Sequence, residues 1–184
     1  MDTAILSRFH VAGIDHALRT ATPGPRFPRI SDRERWDHVR LVLPDDERTT
    51  LFVAAEEAAR SPAPSLPATL YLEFARTGER AAYEQRCWAR RRGLAALTLA
   101  ECLEDRGRFR DPLLDWAWAI CEESSWAMTA HQSALTDVER PYIDLGVAMT
   151  AFELAECVDV AGERLDPALT CLLYTSDAAD DLTR

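Results

Sequence analysis

The chain has 184 residues, 47% of them apolar, and a formal net charge of −10 at pH 7. That length supports one domain with a sizeable core, or a piece of a larger one, and the acidic balance argues against a nucleic-acid backbone or an anionic membrane surface as the main partner. All 21 cations are arginine and neither Lys nor Asn occurs anywhere, a bias of the kind a GC-rich genome imposes.

Residues 1–19 carry helical periodicity, with Ile5, Phe9, Ala12 and His16 on one side. The run TATPGPRFPRIS (20–31) then breaks structure with three prolines and a glycine. After LVLP, the acids Asp45, Asp46 and Glu47 predict a helix N-terminus and a helix through about Arg60. This divides an N-terminal helical and irregular segment (1–44) from a helical region (45–170). Within that region SPAPSLPA (61–68) is a Pro-rich connector, and Pro67 suits a first helical turn. A short helix over ATLYLEFART (68–77) stops at Gly78, and a long one over 79–106 stops at Gly107. Asp111 is the expected cap of the next helix, with Pro112 at its first position. Leu113, Leu114, Ala117, Trp118 and Cys121 form its apolar stripe.

Pro141 is expected to start a helix that runs to Gly162 and is apolar nearly all round, hence buried on every side. Asp166 and Pro167 cap and open a further helix. No segment alternates with the period of a strand. The expected fold is all-α, with antiparallel helix pairs joined by short loops. Apolar helices layered inside amphipathic ones favour a toroid or solenoid over a four-helix bundle.

Five cysteines (Cys87, Cys102, Cys121, Cys157 and Cys171) include no C-x-x-C pair, so they read as small hydrophobes rather than a disulfide framework or zinc site. The N-terminus has no basic stretch followed by a clean apolar core, and no apolar run reaches membrane-spanning length. The expectation is a soluble cytoplasmic protein without a cofactor. Residues 171–181, CLLYTSDAADD, turn abruptly to another composition. The string resembles the in-frame translation of a transposase adaptor used in sequencing libraries. Residues 171–184 are therefore expected to be a non-native tail that packs loosely, with the natural chain continuing past Thr170.

One short stretch concentrates functional residue types: CEESSWAMTAHQ (121–132) carries Glu122, Glu123, Trp126 and His131 between two apolar runs. Carboxylates, an indole and an imidazole are what sugar binding or proton transfer requires. Each also has a plain structural role open to it. Trp126 can anchor the core, His131 can cap the next helix, and the adjacent Glu122 and Glu123 would point about 100° apart on a helix. His10, His16 and His38 sit in no motif, and Glu123 with His131 has no repeated metal-ligand spacing.

The stretches LPATLYLEFARTGERAAYE (66–84), DPLLDWAWAICEESSWAMTAHQ (111–132) and IDLGVAMTAFELAECVDVAGERLDPAL (143–169) together resemble the N-terminal helical region of heparinase II/III-like proteins. Two positions depart from that pattern: Glu79 stands where Asn is frequent, and Thr129 where Pro is expected. The resemblance implies an incomplete (α/α) toroid, followed in full-length members by β-sandwich domains. It also implies β-elimination on uronate-containing polysaccharides, making an acidic polysaccharide or oligosaccharide the expected substrate of the parent protein. Such lyases use Asn and His around the substrate carboxylate and Tyr or His for proton exchange, mostly from later in the chain. With no Asn present, this stretch is expected to lack catalysis of its own. Trp126 would stack on a sugar, and His131 or Glu123 would bond its hydroxyls. A non-enzymatic helical-repeat binding module and an (α/α) glycoside hydrolase are the alternative readings.

Overall fold

The computed structural model describes residues 27–132, 134–135 and 142–175, except for the side chains of 173–175. The helix expected over 1–19, with His10 and His16, lies outside the described residues, as do Pro141 and residues 176–184. Among the described residues there is no strand, and the protein is all-α. Its helices are α1 (Arg33–Val42), α2 (Asp45–Arg60), α3 (Ala68–Tyr71), α4 (Glu73–Thr77), α5 (Ala81–Glu104), α6 (Arg110–Cys121), α7 (Leu145–Ala161) and α8 (Pro167–Thr175). Single 3-10 turns occupy Thr129–His131 and Gly162–Arg164.

Helix α5 is the hub, with α1, α2, α6 and α7 all packed on it. Its N-terminal half is rich in arginine, yet from Gly93 to Leu103 only Arg92's successors Ala95 and Leu99 escape full burial. Leu94, Leu97 and Leu103 meet Phe109, Leu113 and Ile120 in one core cluster. Each such side chain contributes roughly 1.5–3 kcal/mol when fully buried. Gly93 sets the approach of α6, because a Cβ there would lie 2.0 Å from the Trp116 ring. Residues before α1 are tied into the same body: the Ile30 amide donates to Val160 O at 2.7 Å, and Arg33 donates to Cys102 O at 2.8 Å.

Helix α1 was not foreseen from the Pro-rich composition around it. It starts because Asp32 accepts the Arg35 amide and Trp36 drives into the core, 1% exposed, with its indole N–H on the Pro28 and Arg29 carbonyls. His38 lies exposed on this helix. The expected helix over 68–77 is two short turns, α3 and α4, meeting at Leu72.

Helix α6 begins at Arg110, so Asp111 and Pro112 fall inside its first turn and Asp111 is not the cap. The turn into it is held by Glu101, wholly buried, whose carboxylate accepts the Gly107 and Phe109 amides. The buried face of α6 is Leu113, Trp116, Ala117 and Ile120, while Trp118 is 44% exposed. The helix carries more apolar residues than one face holds, and contact with α5 and α2 selects which are covered.

The largest correction concerns α7. It starts at Leu145, and it is not buried on every side: Leu145 is 72% and Phe152 52% exposed. One face packs on α5 through Val147, Leu154 and Cys157, and the helix also meets the 3-10 turn after it and α8. Beside its outward face a cavity of about 340 Å³ runs along Leu94, Thr98, Met149, Phe152 and Glu153. Asp166 accepts the Ala168 amide to open α8, Leu169 seats it in the core, and the helix passes Thr170 to Thr175. Cys171 is exposed and Leu172 half-buried. None of the five cysteines is in a disulfide. Among the described residues no helix is long and apolar enough to cross a membrane.

Candidate functional site

The connector between α6 and α7 holds all three sequence-predicted site residues, and the structure sends them to three different environments. Glu123 turns inward. Its carboxylate accepts both Arg91 terminal nitrogens at 2.6 Å and Arg90 Nη1 at 3.0 Å. The side chains of Arg91 and Glu123 are 2% and 4% exposed, so this is a buried two-arginine, one-carboxylate cluster. Arg90 also donates from Nε to Pro64 O at 2.6 Å and from Nη1 to Ala119 O at 2.7 Å. Arg91 Nε donates to Thr150 Oγ1 on α7 at 3.2 Å. Burial alone would lower the Arg91 pKa, and the Glu123 carboxylate more than reverses that. Glu123 therefore has no idle oxygen to offer a sugar.

Trp126 is also turned inward. It is 8% exposed and donates its indole N–H to Ile120 O at 2.9 Å. A sugar stacked on this ring would require the indole to leave the core cluster it belongs to. Gly146 makes room for the strand of chain beside it, since a Cβ there would come within 2.9 Å of Trp126 O and Met128 Cγ.

His131 faces outward. Its side chain is 47% exposed, whereas that of Asp144 beneath it is 4% exposed, and His131 Nδ1 lies 2.6 Å from Asp144 Oδ2. Asp144 was not singled out from the sequence. It caps α7 by accepting the Val147 amide at 3.0 Å, and it also accepts the Met128 amide at 2.8 Å. Burial would raise the Asp144 pKa, but the bonds from His131, Met128 and Val147 hold it below the ordinary carboxylate range. An ionised carboxylate only accepts, so His131 Nδ1 carries the hydrogen and Nε2 points away from the pair. Nε2 makes no hydrogen bond among the described residues. The Tyr142 ring lies 5.8 Å away, centroid to centroid, and tilted by 44°.

The arginine cluster forms one wall of a cleft of about 550 Å³, where Arg90, Glu122, Glu123 and Ser124 meet Tyr71 and Tyr83. Neither Trp126 nor His131 lines it. The tyrosines pack edge to face with centroids 5.0 Å apart. Burial, more than the nearby thiol and carboxylate, pushes the Tyr83 hydroxyl well above its ordinary value, so it stays a neutral donor. The sequence offered no sign of this cleft, because Tyr71, Tyr83 and Arg90 sit in ordinary helical patterns. Among the described residues no three His, Cys, Asp or Glu side chains are grouped as a metal site would need, and Glu123 and His131 hold separate partners.

No family model matches the chain, and no curated protein matches it.

Proposed function

We propose that the chain is the glycan-facing helical part of a lyase-type protein acting on uronate-containing polysaccharides, with its helices forming part of an (α/α) toroid. His131 is the group that meets the sugar. The observation that carries this reading is the Asp144-backed imidazole, with Nδ1 2.6 Å from a buried carboxylate and the side chain 47% exposed. With Nδ1–H directed at the carboxylate, Nε2 of the neutral ring is an acceptor, the arrangement that suits an imidazole to a sugar hydroxyl or a weakly acidic carbon. The outward apolar face of α7 and the hub position of α5 support a layered helical array. Because the chain contains no Asn, neutralisation of the substrate carboxylate by that residue type is left to another part of a complete enzyme. The activity assigned to this chain is binding.

The test is calorimetric titration of the chain with alginate and unsulfated glucuronate-containing oligosaccharides, with the His131 ring followed by NMR. Binding that weakens about tenfold in His131→Ala, the scale of one lost hydrogen bond to a polar ligand, supports the reading. Failure of every uronate oligosaccharide to bind, or equal affinity in His131→Ala, overturns it.

A further inference from the structure

The buried cluster at the cleft wall has unequal charge. Arg90 and Arg91 are both permanently cationic, and between them they hold one carboxylate, Glu123, with side chains 10%, 2% and 4% exposed. In direct contact the cluster thus has two guanidinium groups on one carboxylate, and the next carboxylate near Arg91 is Glu153 on α7, which makes no ion pair with it. Glu122 also lines the cleft, but it is exposed, where water screens its charge.

The donors left over point the same way. Arg90 uses Nε and Nη1 in its three bonds, and its Nη2 makes none among the described residues. The Tyr83 hydroxyl likewise makes no hydrogen bond among the described residues, although its residue is 5% exposed. Neither atom is sealed away from solvent, and both residues line the same cleft. A guanidinium donor and a hydroxyl donor left unused on one cleft match the chemistry of a singly charged oxyanion.

We propose that the cleft between Tyr83 and Arg90 is an oxyanion-binding subsite, taking a carboxylate or a sulfate ester borne on a ring. It deepens the glycan reading and rests on that reading for the source of the anion. Arg90 Nη2 supplies the charged bond and Tyr83 Oη–H the neutral one, while Ser124 and Glu122 stand at the rim near where ring hydroxyls would lie. The fixed Arg91–Glu123 pair keeps Arg90 in place, so the site is built before the ligand arrives.

NMR titration of the full chain with glucuronate, glucose 6-sulfate and glucose tests this, since it reads weak binding directly. The charged sugars should shift the Tyr71 and Tyr83 ring signals, and added salt should weaken them. Glucose should not bind. Tyr83→Phe keeps the ring and removes only the hydroxyl, and it should weaken the charged sugar about fivefold to tenfold. Arg90→Lys keeps the charge and loses the fork, with a larger loss expected; its melting temperature is measured first, and if it unfolds Tyr83→Phe alone decides. Response to glucuronate identifies a carboxylate pocket and response to the sulfate a sulfate pocket. Equal response to glucose, response to none, or unchanged affinity in Tyr83→Phe overturns the proposal. The two readings separate cleanly. Oligosaccharide binding that depends on His131 but not on Tyr83 removes the subsite and keeps the glycan reading. Monosaccharide binding that depends on Tyr83, with no oligosaccharide bound, keeps the subsite and removes the other.

Discussion

Two acid–base pairs meet at one connector, through Glu123 and His131, and have the same contact distance, 2.6 Å for Arg91–Glu123 and 2.6 Å for His131–Asp144. They differ in what surrounds them. In the first, both side chains are nearly sealed, and both oxygens of the carboxylate accept from guanidinium groups. In the second, only the acid is sealed, and the base is half in water. A pair closed at both ends can hold helices together but has nothing left for a ligand. A pair closed at one end holds its base in a fixed orientation and leaves one nitrogen free to act. Contact distance alone would have ranked them equal.

The largest effect should come from breaking the closed pair. Glu123→Ala leaves Arg91, 2% exposed, with an uncompensated buried charge. A loss of about 3–5 kcal/mol is expected, read by chemical denaturation. Replacing the partners together by apolar residues of similar volume should recover much of it, because removing the whole pair also removes its desolvation cost. A Glu123→Ala protein as stable as the parent would mean that water already reaches the cluster.

Second in size is Asp144→Ala. It removes the α7 cap and leaves the Met128 and Val147 amides unpaired, at an expected cost of about 2–3 kcal/mol. The pH dependence follows from the direction of its shift. Folding holds the Asp144 pKa below its unfolded value. Its contribution is therefore complete above the ordinary carboxylate pKa of about 4 and is lost as pH falls through the lower folded value. Asp144→Ala should flatten the acid limb of the stability profile. An unchanged acid limb would mean that other carboxylates govern acid unfolding.

Much of this architecture is legible in the sequence. The acids at 45–47 and the Asp166–Pro167 pair mark α2 and α8 because dipole and capping effects act within one turn. What periodicity cannot supply is the identity of a helix's neighbours. α7 reads as buried because it is apolar nearly all round, yet it leaves Leu145 and Phe152 exposed. α5 is expected only as a long helix over 79–106, and nothing in its pattern places Arg90 and Arg91 among its buried residues. The site is legible to the same degree. CEESSWAMTAHQ names one member of each pair, but Arg91 lies 32 residues from Glu123 and Asp144 lies 13 from His131. No local pattern announces a partner at such separation.

Trp126 offers a milder perturbation. Trp126→Phe keeps most of the buried ring and loses the indole bond to Ile120 O, for an expected cost of about 1–2 kcal/mol. If the indole only anchors the connector, oligosaccharide affinity measured well below the melting temperature should stay within twofold of the parent. A large loss of affinity with little loss of stability would instead return Trp126 to the sugar-facing side.

The smallest effect on stability belongs to the open pair's exposed member. His131→Ala removes a half-exposed ring and one of three bonds to Asp144, and it leaves both backbone amides in place. The fold should lose at most about 1 kcal/mol, since surface pairs are worth little. Its signature is electrostatic. The bond from His131 helps hold the Asp144 pKa down against burial, so deleting it should move that pKa upward. The acid limb should then be shallower than in the parent and level off at a higher pH, because the folded pKa lies closer to the unfolded one. Carbon-detected NMR of the Asp144 carboxyl reads the shift directly, and the melting temperature measured beside it gives the cost in stability. A raised carboxyl pKa with a nearly intact fold is what an acid that positions an exposed base requires. An unmoved pKa would mean that the two backbone amides alone hold the carboxylate, and that the imidazole rests on it without being oriented by it.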